Sequence, residues 1–415
     1  MAQNENCAIS DSEIVQLEEL AQLWHSVPRR WGHPIHSLCS YFAMFPPQLA
    51  RVIIQWLTDK GDAIYDPFSG RGTVALESLL LKRISFASDA NPLAQILTQA
   101  KSSIPTKTCL EHRIIYLEKS YYKSKVNIDE IPQDIQMLYD LETLKQLEFL
   151  KINLDQTDKL DSFLIATILG MLHANITKKG TVRGFSISMP NTFAMAPRYV
   201  ENYIQQHNLQ PPKVNVFSML IKRLEKLNLP SFTITGGRSW LQDATLEPPQ
   251  WLKNHKAKLI LTSPPYLHVI RYGKYNWIRL WFLGQDPKEI DQNLMTSSSL
   301  SKYIEFIQKV CSNLNQVVTA DGYICFIIGD VYQKQNGVKI PINLAETVWQ
   351  QAIKPLGWHL HKIIADEIPK GQKVSRIWKN NSGQATKIDH LIILSPNKTQ
   401  LPPTAKPTWE KEIIF

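Results

Sequence analysis

The chain has 415 residues, enough for one large or two medium domains with a sizeable core. It is 44% hydrophobic and 20% charged, as expected of a packed globular protein, and no apolar run approaches the ~20 residues that span a bilayer. The net charge of +9 suits a polyanion partner and equally suits plain solubility. Cysteines 7, 39, 109, 311 and 325 are scattered, with no Cys-x-x-Cys pair. That argues against a disulfide framework or a zinc site and for a reducing cytoplasm. Met1 to Cys7 has neither a basic n-region nor an apolar core, so no secretory signal is expected.

In chain order, residues 10–26 read as a first helix, with Ser10 and Glu13 spaced for a capping box. A basic, aromatic loop, Pro28 to Pro34, follows. Residues 46–58 form an amphipathic helix with Leu49, Val52, Ile53, Trp56 and Leu57 on one stripe. Ala63-Ile64-Tyr65 is a strand that Asp66-Pro67 closes. Gly70 and Gly72 then permit a tight turn and close backbone approach to a ligand. A helix follows from Thr73 to Leu79, then a second strand, Ile84 to Ser88, ending at Asp89. Strand, glycine turn, helix, strand and acid make the arrangement that binds an adenosine-containing cofactor, the acid taking the ribose hydroxyls. The Gly-Lys-Ser/Thr ending of a phosphate loop is missing, and the spacing is not Gly-x-Gly-x-x-Gly.

Residues 102–175 read as largely helical and locally acidic, a scaffold. Between 176 and 240 stand nine basic residues (Lys178, Lys179, Arg183, Arg198, Lys213, Lys222, Arg223, Lys226 and Arg238) against Glu201 and Glu225. Interleaved hydroxyls, amides and aromatics suit phosphate contact with some base-edge reading. A second basic run, with Lys370, Lys373, Arg376, Lys379 and Lys387, has no acid between 368 and 388. An ordinary solvated face explains either run alone; two such runs flanking one site favour nucleic acid.

The apolar run Leu259-Ile260-Leu261 reads as a buried strand, stopped after Thr262-Ser263 by Pro264-Pro265, neither of which can donate to a ladder. The turn offers the Ser263 hydroxyl, proline-fixed carbonyl acceptors and the Tyr266 ring. These suit a planar base with an exocyclic amine. An aromatic, helical stretch from Tyr272 to Phe282 follows, with Trp277 and Trp281 in the core and Tyr272 or Tyr275 available to a base. Then come a helix over 300–316, buried strands over 322–330 and 390–394, and a surface tail over 396–415. Asp330, His36 and His390 have no assigned partners and read as structural.

The motifs Asp66-Pro67-Phe68-Ser69-Gly70-Arg71-Gly72-Thr73 and Thr262-Ser263-Pro264-Pro265-Tyr266 together resemble the amino-group DNA methyltransferases. Asp89-Ala90-Asn91-Pro92 resembles that family's ribose-binding acid and its extension, and Gln242-Asp243-Ala244 its acid near the adenine ring. The resemblance covers roughly 40–101 and 236–395. It implies an α/β, Rossmann-like class I methyltransferase fold: a seven-stranded, mostly parallel sheet with an inserted, largely helical recognition region. The implied cofactor is S-adenosyl-L-methionine, held by Asp66, Phe68, Gly70, Gly72, Thr73, Asp89 and Asp243, with a weaker candidate in Tyr41 to Pro46. The implied catalytic turn is Ser263, Pro264, Pro265 and Tyr266. Lys178, Lys179, Arg183, Arg198, Lys370, Lys373 and Arg376 become candidate contacts to double-stranded DNA.

Gly72 and Ser263 lie 191 positions apart, which predicts the division 1–101 (cofactor half), 102–240 (recognition insert), 241–395 (catalytic half) and 396–415 (tail). Adenine-directed members usually carry Asp or Asn where this chain has Ser263, so the resemblance leans to cytosine N4, with base flipping. The alternatives are adenine N6, an RNA base, and an inactive nucleic-acid binder. The expected state is a cytoplasmic monomer, with a separately acting restriction endonuclease as a compatible companion.

Overall fold

The computed structural model describes residues 14–15, 19–28, 31–41, 46–176, 182–188, 195–265, 267, 271–294, 299–335, 338–367, 388–405 and 407–409. Its centre is a seven-stranded sheet. The strands are β1 (Ala63–Asp66), β2 (Ile84–Asp89), β3 (Gly237–Leu241), β4 (Ala257–Thr262), β5 (Val318–Gly329), β6 (His359–Glu367) and β7 (Ile388–Ser395). Their spatial order is β6-β7-β5-β4-β1-β2-β3. The five strands from β5 to β3 are parallel, and β7 runs antiparallel between β5 and β6. The seven-stranded, mostly parallel sheet is thus as expected.

Both faces of this sheet are covered, which is why β4 reads as a continuous apolar run. Period-two alternation sends Leu259 and Leu261 into one core, with Ile64, Cys325 and Ile393. Ile260 enters the other, with Tyr65, Ile324 and Phe326. The first core is closed by helix α1 (Pro47–Leu57), whose buried stripe includes Leu49, Val52, Ile53 and Leu57. The second is closed by α10 (Leu300–Leu314) through Tyr303, Ile307, Val310 and Leu314.

The chain leaves β1, crosses by α2 (Thr73–Leu80) to β2, and then places β4 on the opposite side of β1. The strand order reverses there. Open sheets of this kind bind ligands outside the carboxyl ends of the strands at such a reversal. After β2 come α3 (Pro92–Ser102), α4 (Lys107–Tyr121), α5 (Leu141–Asn153), α6 (Lys159–Met171), α7 (Pro197–His207) and α8 (Val216–Leu224). The first of these pack with α9 (Trp277–Leu283) into a third core. Trp277 is buried there and Trp281 half-buried, as expected.

Three expectations change. Among the described residues the first helix covers Leu20–His25, and Ile14 and Val15 instead pair as a short antiparallel strand with Ala405 and Thr404. Segment 396–415 is not a loose surface tail in its described part: Leu401 and Trp409 pack on the α1 core. Asp330, His36 and His390 do have partners: His390 Nε2 lies 2.9 Å from Asp330 Oδ1, and His36 Nε2 lies 2.7 Å from Glu77 Oε1. Strands β3 and β6 and a hairpin of Val331–Gln335 with Val338–Ile342 were not anticipated.

Gly72 caps α2 in the left-handed region at φ +75°. A Cβ there would stand 2.9 Å from Thr98 Cα, so α3 packs against bare backbone. Gly72→Ala should therefore destabilise the fold by about 1–3 kcal/mol or more, from backbone strain plus this clash. A denaturant titration that returned the wild-type midpoint would refute the close packing.

Candidate active site at the strand ends

Four strand ends converge. β1 ends in Asp66, fully buried, whose Oδ1 accepts from Thr262 Oγ1 at 2.6 Å and from the Phe68 amide at 3.1 Å. Thr262 is the last residue of β4, so this bond ties the two strands together where their order reverses. Burial pushes the Asp66 carboxyl up to about 7, against the opposing pull of those two donors.

The loop after β1 is fixed by its own backbone and by β2 and α3. Ser69 N–H donates to Ser88 O at 3.0 Å, and Thr98 Oγ1 donates to Ser69 Oγ at 2.9 Å. Gly70, at φ +53°, donates its N–H to Asp89 Oδ2 at 2.8 Å. Asn91 N–H donates to Asp89 Oδ1 at 2.9 Å. Burial raises the Asp89 carboxyl to about 6, and the backbone amides pull against that. Each oxygen keeps free lone pairs beside its amide partner. Asn91 also caps α3 and donates to Tyr41 Oη at 2.9 Å. Tyr41 lies beside Gly70 and stacks on Tyr272, ring centroids 5.7 Å apart.

β3 contributes the neighbouring wall. Gln242 N–H donates to Asp89 O at 2.9 Å, which carries the chain directly to Asp243. Asp243 is half-buried, and its Oδ1 accepts from Thr245 N–H at 2.7 Å. Tyr65 stacks on Trp240 at 5.6 Å and 7° between planes. Phe68 is half-buried against Phe306, and Thr73 is buried at the start of α2.

β4 delivers the proline turn. Ser263 is half-buried and Pro264 buried. Ser263 Oγ donates to Ile327 O on β5 at 3.1 Å. Its single hydrogen is therefore engaged by the sheet, and its lone pairs remain as acceptors. Neither Thr262 nor Ile327 was singled out from sequence as a partner, since 196 and 64 positions separate the bonded residues.

The fold brings Asp66, Phe68, Gly70, Gly72, Thr73, Asp89, Asp243 and Ser263 to one rim of the sheet. Tyr266, Lys178, Lys179, Lys370, Lys373 and Arg376 lie outside the described residues. Arg183 is exposed on the short strand Val182–Arg183, and Arg198 is exposed on the first turn of α7. Both belong to the insert between β2 and β3. One cluster escaped the sequence reading altogether: Glu77, completely buried on α2, between His36 and Arg51. An acid in the apolar run Val74-Ala75-Leu76-Glu77-Ser78-Leu79 was the available signal.

Among known proteins, the Type II methyltransferase M.MvaI of Kocuria varians is 24% identical over 305 residues, covering 68% of this chain and 65% of that protein. The Type II methyltransferase M.BsoBI of Geobacillus stearothermophilus is 23% identical over 282 residues, covering 62% of this chain and 54% of that protein. The matched part of this chain thus spans less than two thirds of either relative's length. Among solved structures, TrmN from Thermus thermophilus aligns with a TM-score of 0.32 at 10% identity, over 88% of this chain and 52% of that one. Residues 3–99 and 257–411, well over half the chain, match the N6/N4 methyltransferase family described as DNA methylase, and the protein belongs to that family.

Proposed function

We propose that this protein transfers a methyl group from S-adenosyl-L-methionine to the exocyclic N4 of cytosine in duplex DNA. The observation that carries the reading is the state of Ser263. Its hydroxyl hydrogen is occupied by Ile327 O at 3.1 Å, so toward a substrate it is an acceptor, as an amine donor requires. Membership of the amino-group family agrees, and serine at this position inclines the reading to cytosine rather than adenine.

The residues present fit the cofactor. Asp89, whose carboxylate oxygens are oriented by backbone amides that include those of Gly70 and Asn91, takes the ribose hydroxyls. Gly70 keeps the loop open on the approach, and Gly72 lets α3 close on bare backbone behind it. Asp66, Phe68 and Thr73 shape the loop, and Asp243, one residue beyond the Gln242 amide that bonds Asp89 O, would accept from the adenine amine. When bound, S-adenosylmethionine supplies an electrophilic methyl group on a sulfonium.

The remaining steps belong to the protein. Ser263 Oγ and the Pro264 carbonyl accept the two hydrogens of the target amine and favour a pyramidal nitrogen, whose lone pair is otherwise delocalised into the ring. Held by these two acceptors, the nitrogen would take the methyl that the cofactor supplies as the S–CH3 bond breaks and the neutral thioether leaves. Its proton would pass to water once it is cationic, so no strong general base is needed. Positioning of this kind is worth up to ~7–11 kcal/mol. Pro265 stiffens the turn. Tyr266 stacks on the extruded base for about 1–3 kcal/mol, offsetting an unstacking term of a few kcal/mol.

The insert between β2 and β3 holds the target, with Arg183 and Arg198 exposed on it, and Lys178, Lys179, Lys370, Lys373 and Arg376 contact phosphates. The recognition region lies within 102–240, ahead of β3, whose Gly237–Leu241 belong to the sheet, between the cofactor half (1–101) and the catalytic half (241–395). The protein acts as a monomer beside a separate endonuclease, if one accompanies it. Incubation with cofactor carrying a labelled methyl should place label in unmethylated duplex DNA and not in transfer or ribosomal RNA. Label in RNA alone would refute the substrate.

A further inference from the structure

We propose that segment 400–409 is a positioning element for the cofactor loop, so that docking of this segment and binding of S-adenosylmethionine favour one another. The inference rests on the cofactor reading above. It starts from a cluster of buried charges that the proposed chemistry does not use. Glu77 is fully buried in the first two turns of α2, the helix that Gly72 opens. Its Oε1 lies 2.7 Å from His36 Nε2, and its Oε2 accepts from Arg51 Nε at 2.9 Å. Burial pushes the His36 ring down to about 4, so it is neutral near pH 7 and donates its Nε2–H to Glu77; against the upward push of burial, that bond and Arg51 hold the Glu77 carboxyl below its usual range.

From this cluster one arm reaches the loop. Arg71, between the two glycines of positive φ, donates from Nη1 to His36 O at 3.3 Å and from Nε to Thr73 Oγ1 at 3.2 Å. Lys101 Nζ donates to Arg71 O at 2.5 Å. The next residue back, Gly70, gives its N–H to Asp89. A shift of His36 therefore moves Arg71, and with it the amide that orients the ribose-binding carboxylate.

The other arm reaches segment 400–409. Arg51 Nη1 donates to Thr408 O at 3.4 Å, and its guanidinium lies over the Trp31 ring at 5.1 Å from the centroid. Trp31 meets Trp409 edge-on at 5.1 Å. Gln55 clasps Thr408 twice, donating to Oγ1 at 2.5 Å and accepting from its N–H at 3.0 Å. Trp56 Nε1 donates to Pro402 O at 2.9 Å, and Tyr323 Oη donates to Gln400 O at 2.7 Å. Arg51 is thus oriented from one side by the segment and from the other by Glu77. A buried carboxylate cannot lose that orientation without penalty, which links the two ends. A coupling free energy between two sites is reciprocal, so cofactor must favour the docked segment as the segment favours cofactor.

The test uses the full chain and two variants that touch neither Glu77 nor the loop, Trp409→Ala and Gln55→Ala. Calorimetric titration with S-adenosylmethionine should give a dissociation constant raised about fivefold or more in each, with KM for the cofactor rising more than kcat falls. Thermal unfolding run alongside shows that each variant is folded at the titration temperature. Reciprocally, cofactor should slow tryptic cleavage of the C-terminal segment in the wild type. Folded variants that bind cofactor as tightly as the wild type would reduce the segment to a scaffold and overturn the inference. A wild type that binds no cofactor would overturn the cofactor reading and this inference together.

Discussion

Ser263→Ala should lower turnover by about a hundredfold or more while leaving the dissociation constant for S-adenosylmethionine within about twofold. Removing one positioned hydrogen-bonding group from a reacting centre typically lowers kcat by 10²–10³, about 2.7–4 kcal/mol. The loss should fall on kcat because the Oγ contact tightens only as the amine nitrogen pyramidalises. Folding should survive, since the half-buried Ser263 gives up one bond to Ile327 O, a net contribution of about 0.5–1.5 kcal/mol. Ser263→Cys would restore shape and a weak acceptor, and should recover only part of the rate. Single-turnover rates measured at saturating cofactor and DNA separate these outcomes. An alanine variant with wild-type kcat would remove Ser263 from the reaction.

The second large effect falls on the cofactor. Asp89→Ala removes a carboxylate that holds the Gly70 and Asn91 amides, and it removes the proposed acceptor of two ribose hydroxyls. Hydrogen bonds to a charged group contribute about 1.5–3 kcal/mol each, so the dissociation constant should rise by at least about a hundredfold. Asp89→Asn keeps the shape and loses the charge, and should lie between. The same residue sets a pH dependence. Burial raises the Asp89 carboxyl to about 6 in the free protein. The raised value means the folded chain favours the protonated acid, so this group's contribution to stability is present at low pH and lost as pH rises through about 6. Hydroxyl donors favour the ionised acid, so cofactor affinity should move the other way. It should weaken as pH falls below about 6, by up to about tenfold per unit, and be flat above about 7. In Asp89→Asn that slope should vanish; a slope unchanged by the substitution would assign the titration to another group.

What the sequence made legible was local. The glycine turn between a short strand and a helix, and the apolar run halted by Pro264-Pro265, are written in contiguous residues. Their backbone constraints need no partner to be read. Both sit in the structure as strand-end turns on the same rim. What was not legible depends on pairing across the chain. Glu77, His36 and Arg51 are unremarkable singly and meet only because α1 packs on α2. The Asp66–Thr262 bond joins residues 196 positions apart. Strand β6 was missed because it is an edge: its polar His359, His361 and Lys362 and half-buried positions blur the alternation that marks a strand. Segment 396–415 read as a tail because prolines and mixed charge mimic a linker. Leu401 and Trp409 find their burial on a surface that only the folded α1 provides.

The most direct measurement is the methylated nucleoside itself. The protein and its Ser263→Ala variant would be expressed in a host free of N4-methylcytosine, and the DNA digested and resolved by mass spectrometry. The account predicts N4-methylcytosine with the wild type and none above background with the variant. N6-methyladenine above the host level would keep the site and overturn the base, and no methylated base from either protein would contradict DNA methylation by this chain.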